Sequence, residues 1–533
     1  MRVQSLLLLS GLLTAPGYSY PSATFQEKCK ELANKIKLDY TFDVNIAEYL
    51  APNATIDYAA EGMNATCDGT EAYPIPVGVC RLNLRVETTE TSEIYMEVWL
   101  PETWEGRTLT TGNGGLAGCI QYPELAYGAS YGFASFGTNN GHNGTSGGAV
   151  FHQPEVYEDY VWRSIYTGAV VGKSVTEQFF GDSCGKNYYI GCSTGGRQGW
   201  KAVQKIPELF DGVVAGAPVI DMWAHIAFFG YVHELFGFNT SSVTLVQWAA
   251  VQQEVMKQCD GLDGANDGIL EDPTACNFDW TPLLCSSTSN TTCLTPIQAS
   301  DAAKLFAPVT YNGTFLYPGQ NHGSEITTIA VEYSPLILTW IPEAFRYIVY
   351  EDISWDPTTF TLKDIIYAIQ KDQQDHTDLD TFNGDISAFR DRGGKILHWH
   401  GNADPIITSR TSDLYYNEVR STLNASVADL DEFYRYFRAS GVGHCSSGPG
   451  ASFMGQLGGQ TAADTADDSM LRRIVEWVEH GNAPEYVRGT KFINDTLALG
   501  VEFTRKHCKY PKVNKYTGSG DGLDEEGWEC IEP

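Results

Sequence analysis

Positive charge is scarce in this sequence. Its 533 residues carry 35 Lys and Arg against 66 Asp and Glu, a formal net charge of −31. Nucleic acid and anionic membranes would both repel such a chain, which argues against either as a partner. Long apolar runs are also missing. Beyond the first twenty residues, no stretch approaches the ~20 unbroken apolar residues of a transmembrane helix. Internal repeats, long low-complexity tracts and proline-rich linkers are absent as well.

What is present points to the outside of the cell. Residues 1–20 read as a signal peptide. Arg2 supplies the positive end, Leu6 to Leu9 with Leu12 and Leu13 the apolar stretch, and Ala15 to Ser19 the small, turn-forming end. Thirteen cysteines suit an oxidising compartment. Eight Asn-x-Ser/Thr sequons are candidate glycosylation sites, at Asn53, Asn64, Asn143, Asn239, Asn290, Asn312, Asn424 and Asn494. The expectation is a soluble, secreted glycoprotein.

Short apolar strands are legible at Ile94 to Leu100, Arg107 to Thr111, Phe133 to Gly137, Tyr188 to Gly191, Gly212 to Ala217 and Lys395 to His400. Val161 to Phe180 has apolar residues at helical spacing, and a second helix is expected from Arg197 to Ile206. Strands alternating with helices predict an α/β protein with a mostly parallel sheet. The rhythm breaks from Asp221 to Phe389. That segment is rich in aromatics and holds two close cysteine pairs, and it reads as a lid domain inserted into the core. The expected organisation is a catalytic domain of residues 21–220 and 390–533 around a lid of residues 221–389.

Gly191-Cys192-Ser193-Thr194-Gly195 matches G-x-S-x-G between a strand and a helix. A serine hydroxyl needs a base to become a nucleophile, and a sharp strand-turn-helix presents it to substrate. In α/β-hydrolases the acid follows the serine and the histidine comes last. Asp404 lies just past the strand Lys395 to His400, where that acid belongs. Only His444, His480 and His507 follow it. His480 ends a helix-like segment and His507 adjoins Cys508, which leaves His444, in a glycine-rich loop, as the base. Cys192 precedes Ser193 and Cys445 follows His444. A disulfide between them would hold their α-carbons roughly 5.5 Å apart and bring serine and histidine together.

Cys-Ser, Asp and His-Cys in this order resemble the fungal tannase and feruloyl esterase family, over nearly the whole secreted chain. The resemblance implies an α/β-hydrolase fold with a large inserted lid, and a triad of Ser193, Asp404 and His444 bridged by Cys192–Cys445. The oxyanion hole is expected at the N–H of Thr194 and in the Gly114-Gly115 turn. Cys259 to Ile269 crowds three carboxylates into one turn, and on composition a solvated acidic turn and a cation site are both open. The resemblance favours a structural calcium ion held by the carboxylates of Asp260, Asp263 and Asp267 and the carbonyls of Ala265 and Ile269. Short separations suggest Cys259–Cys276, Cys285–Cys293 and Cys508–Cys530, and the family pattern adds Cys29–Cys80 and Cys67–Cys119. Cys184 is then left as a buried free thiol.

The family hydrolyses esters of plant phenolic acids. Trp223, Phe228, Phe229, Trp248, Trp280, Trp340 and Trp355 either line an aromatic acyl pocket or, for most of them, form the lid core. Some fungal tannases are cut at a dibasic site in the lid, and residues 221–389 hold no adjacent Lys/Arg pair. The expected substrate is therefore a ferulate-type ester of plant cell-wall polysaccharide such as xylan. Tannase, another aromatic-ester hydrolase, or a calcium-dependent polysaccharide-binding glycoprotein without catalysis are the alternatives.

Overall fold

A computed structural model describes residues 24–533 apart from 68–73, 239–240, 287–290, 376–377, 519–521 and 524. The expected signal peptide and the sequons at Asn239 and Asn290 lie outside the described residues.

Among the described residues, nine strands form one sheet. In chain order these are β1 (Phe42–Leu50), β2 (Val79–Thr89), β3 (Ser92–Pro101), β4 (Arg107–Thr111), β5 (Phe133–Thr138), β6 (Lys186–Cys192) and β7 (Gly212–Gly216). After a separate hairpin, β8 (Val309–Tyr311) and β9 (Thr314–Tyr317), come β10 (Lys395–Gly401) and β11 (Tyr434–Ala439). The order across the sheet is β1-β2-β3-β5-β4-β6-β7-β10-β11. The three pairings from β1 to β5 are antiparallel, and the five from β5 to β11 are parallel.

The parallel strands are covered on both faces. In β6 and β10 every residue but the first is buried, as a continuous apolar run predicts for a parallel strand. Alternation sends neighbouring side chains to opposite cores. Tyr189, Val213 and Ile396 pack with Trp200, Tyr415 and Tyr434 on one face. Tyr188, Val214 and Leu397 pack with Met470, Leu471 and Ile474 on the other. The helix expected at 161–180 runs Ser164–Phe180, after one wide turn over Asp159–Arg163. The helix expected from Arg197 starts earlier, at Thr194, directly behind Ser193.

Between β7 and β10, no described residue joins the main sheet. Helices such as Met222–Phe236, Leu245–Cys259 and Pro335–Glu343 share a hydrophobic core that also takes in Leu116, Val150, Tyr157, Tyr160, Val161 and Ile407. Trp223, Phe228, Phe229 and Trp248 are buried in it, and Trp280, Trp340 and Trp355 pack half-buried against it. At the C-terminal end, β12 (Tyr486–Phe492) pairs with β13 (Val501–Cys508), and β14 (Val513–Tyr516) with β15 (Trp528–Ile531).

Six disulfides join the pairs expected: Cys29–Cys80, Cys67–Cys119, Cys192–Cys445, Cys259–Cys276, Cys285–Cys293 and Cys508–Cys530. Cys184 is free, but it is half-buried rather than fully buried. Asn53, Asn143, Asn312, Asn424 and Asn494 are exposed, and Asn64 is half-buried. Among the described residues, no helix is long and apolar enough to cross a membrane.

Candidate active site

Ser193 stands where β6 meets the helix Thr194–Lys205, with φ 64° and ψ −124°. A non-glycine residue pays on the order of 1–3 kcal/mol for such backbone strain, and surrounding structure must hold it there. The Ser193 N–H donates to the Gly216 carbonyl at 3.0 Å, on the neighbouring strand. A Cβ on Gly191 would lie 2.7 Å from the Gly195 backbone, and one on Gly196 would lie 2.3 Å from the Gly216 oxygen. Glycine at these positions lets the turn close.

Asp404 is buried in the loop after β10. The Ile406 and Ile407 N–H groups donate to its Oδ1 at 2.8 and 2.9 Å. Its Oδ2 lies 2.7 Å from His444 Nδ1 and 3.3 Å from His400 Nε2. Burial alone would push this carboxyl up. The His444 charge and the hydrogen bonds from His400 and His444 outweigh burial and hold it well below the usual carboxylate range. It is therefore an anion throughout the physiological range, suited to fixing the imidazole tautomer.

Cys192–Cys445 sets two α-carbons 5.9 Å apart and ties the elbow to the histidine loop. Ser193 and His444 accordingly border one cavity of about 340 Å³. Gly114, Gly115, Trp340 and Ile406 border it too. A narrower apolar recess adjoins Ser193 and Thr194, lined by Met222, His225, Ile226 and Ile407. The Gly115 carbonyl accepts from Thr194 Oγ1 at 2.8 Å and from the Tyr160 hydroxyl at 2.9 Å, which couples the Gly114-Gly115 turn to the residue after the serine. Of the two histidines set aside, His480 is exposed at a helix end. His507 is buried, with Nε2 against the Ala451 carbonyl.

The acidic turn is structured by its own backbone. Asp260 accepts from the Gly268 N–H at 3.0 Å, and Asp263 accepts from the N–H groups of Ala265 and Glu271. Asp267 pairs with Arg505 at 2.6 Å, and Arg505 also pairs with Glu271. Ala265 and Ile269 are buried beside them. Burial pushes the Asp263 carboxyl up to about 6 against those N–H groups, and the charges of Asp267 and Asp260 add to the rise. Among the described residues, no three Asp, Glu, His or Cys side chains are gathered closely enough to hold a metal ion. The donor set still fits calcium in kind: Asp267 and Glu271 share one guanidinium, Asp260 and Asp263 accept from backbone N–H groups, and oxygen is the ligand a hard cation takes.

Sequence reasoning missed three polar groups at the site. His400 supports Asp404, and its signal was the alternation in Lys395 to His400, which puts His398 and His400 on one face of the strand. Glu124 borders the catalytic cavity, buried, with an unpartnered Oε2. His225 lines the apolar recess. Neither of the last two sits in a local motif.

A family model described as tannase and feruloyl esterase matches residues 77–531. A probable feruloyl esterase B-2 of Aspergillus oryzae is 44% identical over 513 residues, covering 95% of this chain and 96% of that protein. Feruloyl esterase C of Talaromyces stipitatus is 41% identical over 530 residues, covering 99% and 98%. Among solved structures, feruloyl esterase B of Aspergillus oryzae superposes with a TM-score of 0.89 at 42% identity, covering 95% of this chain and all of that one. A tannin acyl hydrolase of Aspergillus niger shares the fold with a TM-score of 0.76 at 20% identity, covering 95% of both chains. The chain has the α/β-hydrolase fold and belongs to the tannase and feruloyl esterase family of carboxylic ester hydrolases.

Proposed function

We propose that this is a secreted serine esterase that releases ferulate-type hydroxycinnamic acids from plant cell-wall polysaccharide. The observation that carries the reading is the 2.7 Å contact of His444 with Asp404, beside a serine that a disulfide ties to the same loop. His444 takes the Ser193 proton as Oγ attacks the ester carbonyl, then returns it to the departing alcohol, while Asp404 holds the imidazole and offsets its charge. Water, activated by the same histidine, hydrolyses the acyl-enzyme. The Thr194 N–H and the Gly114-Gly115 turn are assigned to the carbonyl oxygen as it gains charge.

The relatives named feruloyl esterases stand at 41% and 44% identity, against 20% for the tannin acyl hydrolase, which supports ferulate over gallate. The six disulfides and the exposed sequons support secretion and glycosylation. Residues 221–389, none of whose described strands joins the main sheet, are assigned as the lid over a catalytic domain of residues 21–220 and 390–533. Asp260, Asp263 and Asp267, with the carbonyls of Ala265 and Ile269, are assigned to calcium. Bound there, calcium would neutralise excess negative charge between the lid and the C-terminal hairpins; it takes no part in the serine chemistry.

The test is a panel of methyl ferulate, p-coumarate, caffeate, sinapate and gallate on one purified preparation. Ferulate and caffeate are expected to lead, with all activity lost in Ser193→Ala. Equal or faster hydrolysis of gallate would make the enzyme a tannase instead.

A further inference from the structure

The recess beside Ser193 is apolar except at His225 and at Thr194, whose hydroxyl already donates to the Gly115 carbonyl. Met222, His225 and Ile226 come from the first turn of the helix Met222–Phe236, whose i, i+3 and i+4 positions share a face. Gly115, Leu116, Thr194, Val219, Trp340, Ile406 and Ile407 complete the walls with Ser193. His225 is 3% exposed, and its Nδ1 lies 3.2 Å from the Tyr317 hydroxyl. Tyr317, on β9, is itself buried, stacked on Phe228 with centroids 4.5 Å apart. With the Tyr317 hydroxyl as donor, Nδ1 is the acceptor of this bond. That places the single proton of a neutral imidazole on Nε2. Among the described residues Nε2 has no hydrogen-bond partner.

An imidazole N–H without a protein partner, on a residue that lines the recess, is open to an oxygen of a ligand there. The recess is bounded by Ser193 and, at about 20 Å³, has room for a ring substituent but not for a whole ring, so the group taken to reach it is the oxygenated edge of the acyl ring. We propose that His225 is a specificity-determining residue whose Nε2–H donates to an oxygen on the aromatic ring of the acyl group, a phenolic hydroxyl or a methoxy. Burial pushes this imidazole down to about 3, so it acts as a fixed neutral donor rather than as a second base. Tyr317 is a positioning residue that sets the tautomer. The inference rests on the esterase reading above and names the acyl feature the pocket selects.

The experiment measures kcat/KM for matched esters with and without ring oxygens. The pairs are methyl ferulate with methyl cinnamate, and methyl gallate with methyl benzoate. Methyl p-coumarate and methyl 3-methoxycinnamate separate hydroxyl from methoxy. Wild type is expected to favour the oxygenated member of at least one pair. His225→Phe should cut that preference about tenfold, the worth of one neutral hydrogen bond. His225→Gln, which keeps a donor, should restore part of it, and Tyr317→Phe should lower it less than His225→Phe. Thermal melts show whether each variant folds; if His225→Phe does not, the Gln and Tyr317→Phe variants decide by the same ratio.

The proposal is overturned if wild type shows no preference within either pair. It is equally overturned if the variants lower both members of a pair alike, as loss of packing would. Preference for gallate over benzoate without turnover of ferulate would refute the feruloyl reading and leave the role of His225 standing.

Discussion

The loops assigned to catalysis and the acidic turn after Cys259 are built from the same materials and differ in how their charges are balanced. Each lies beside a disulfide, Cys192–Cys445 in one and Cys259–Cys276 in the other. Each centres on buried carboxylates. Asp404 has two histidines and two backbone N–H groups around it. In the acidic turn, Asp260, Asp263, Asp267 and Glu271 stand with one guanidinium, that of Arg505. Burial accordingly drives Glu271 up to about 7, with the Arg505 charge opposing it, while Asp404 is held far below that. The catalytic loops contain their own counter-charges. The acidic turn has an excess that a bound cation would remove, and this is the physical argument for calcium there and not at the serine.

The largest expected effect tests the self-contained side. Asp404→Asn keeps the shape but removes the charge and the tautomer control, and it is expected to lower kcat by about 10⁴. Steady-state kinetics on methyl ferulate measure this, and a loss below tenfold would mean another group orients His444. The disulfides come next. Removing Cys192–Cys445 as a double serine variant opens a closure of 253 residues, worth about 5 kcal/mol in the chain-entropy model, against about 3 kcal/mol for the 17 residues between Cys259 and Cys276. Denaturant unfolding should show the first variant as the less stable. The reverse order would mean that the lid turn, not the catalytic pair, is the more strongly constrained by its bridge.

Chelation separates the two regions more gently. Dialysis against EDTA is expected to lower Tm by several degrees, about what metal present at 100 to 1,000 times its Kd contributes by mass action. Calcium should restore it and magnesium should not, because the smaller ion demands a tighter octahedron. An unchanged Tm together with no bound calcium by elemental analysis would leave Arg505 and protons as the only balance in the turn.

How much of this was legible in the sequence follows from how local each signal is. The elbow is local: Gly191 and Gly195 are read from the motif, and in the structure a Cβ on either would lie 2.7 or 3.0 Å from neighbouring backbone. Asp404 and His444 were found by chain order and by the adjacent cysteines, which carry information across 253 residues. Parallel strands such as β10 show as apolar runs. The antiparallel edge is different. β1 is half-exposed along its length, so its pattern is weak and it passed unread. His225 and Glu124 were invisible for another reason. Each is an ordinary residue in a helix, and its meaning lies in what the fold places opposite it.

Glu124 is the exception on the catalytic side, and it gives the smallest expected effect. Its Oε2 is buried without a partner. Burial pushes the carboxyl up to about 7, with its own N–H and that of Gly458 opposing. A carboxyl with a raised pKa binds its proton more tightly in the folded state than in the unfolded chain. Its contribution is therefore fully present below about pH 4.5 and is lost as pH rises through about 7. The wild-type melt should decline over that window, and Glu124→Gln, which carries no charge, should decline less. For a chain of this size the difference is on the order of 2 °C. Parallel pH profiles for the two proteins would mean that the carboxylate finds a cation or water in the cavity, and that charge on the catalytic side is balanced through the solvent as well as within the fold.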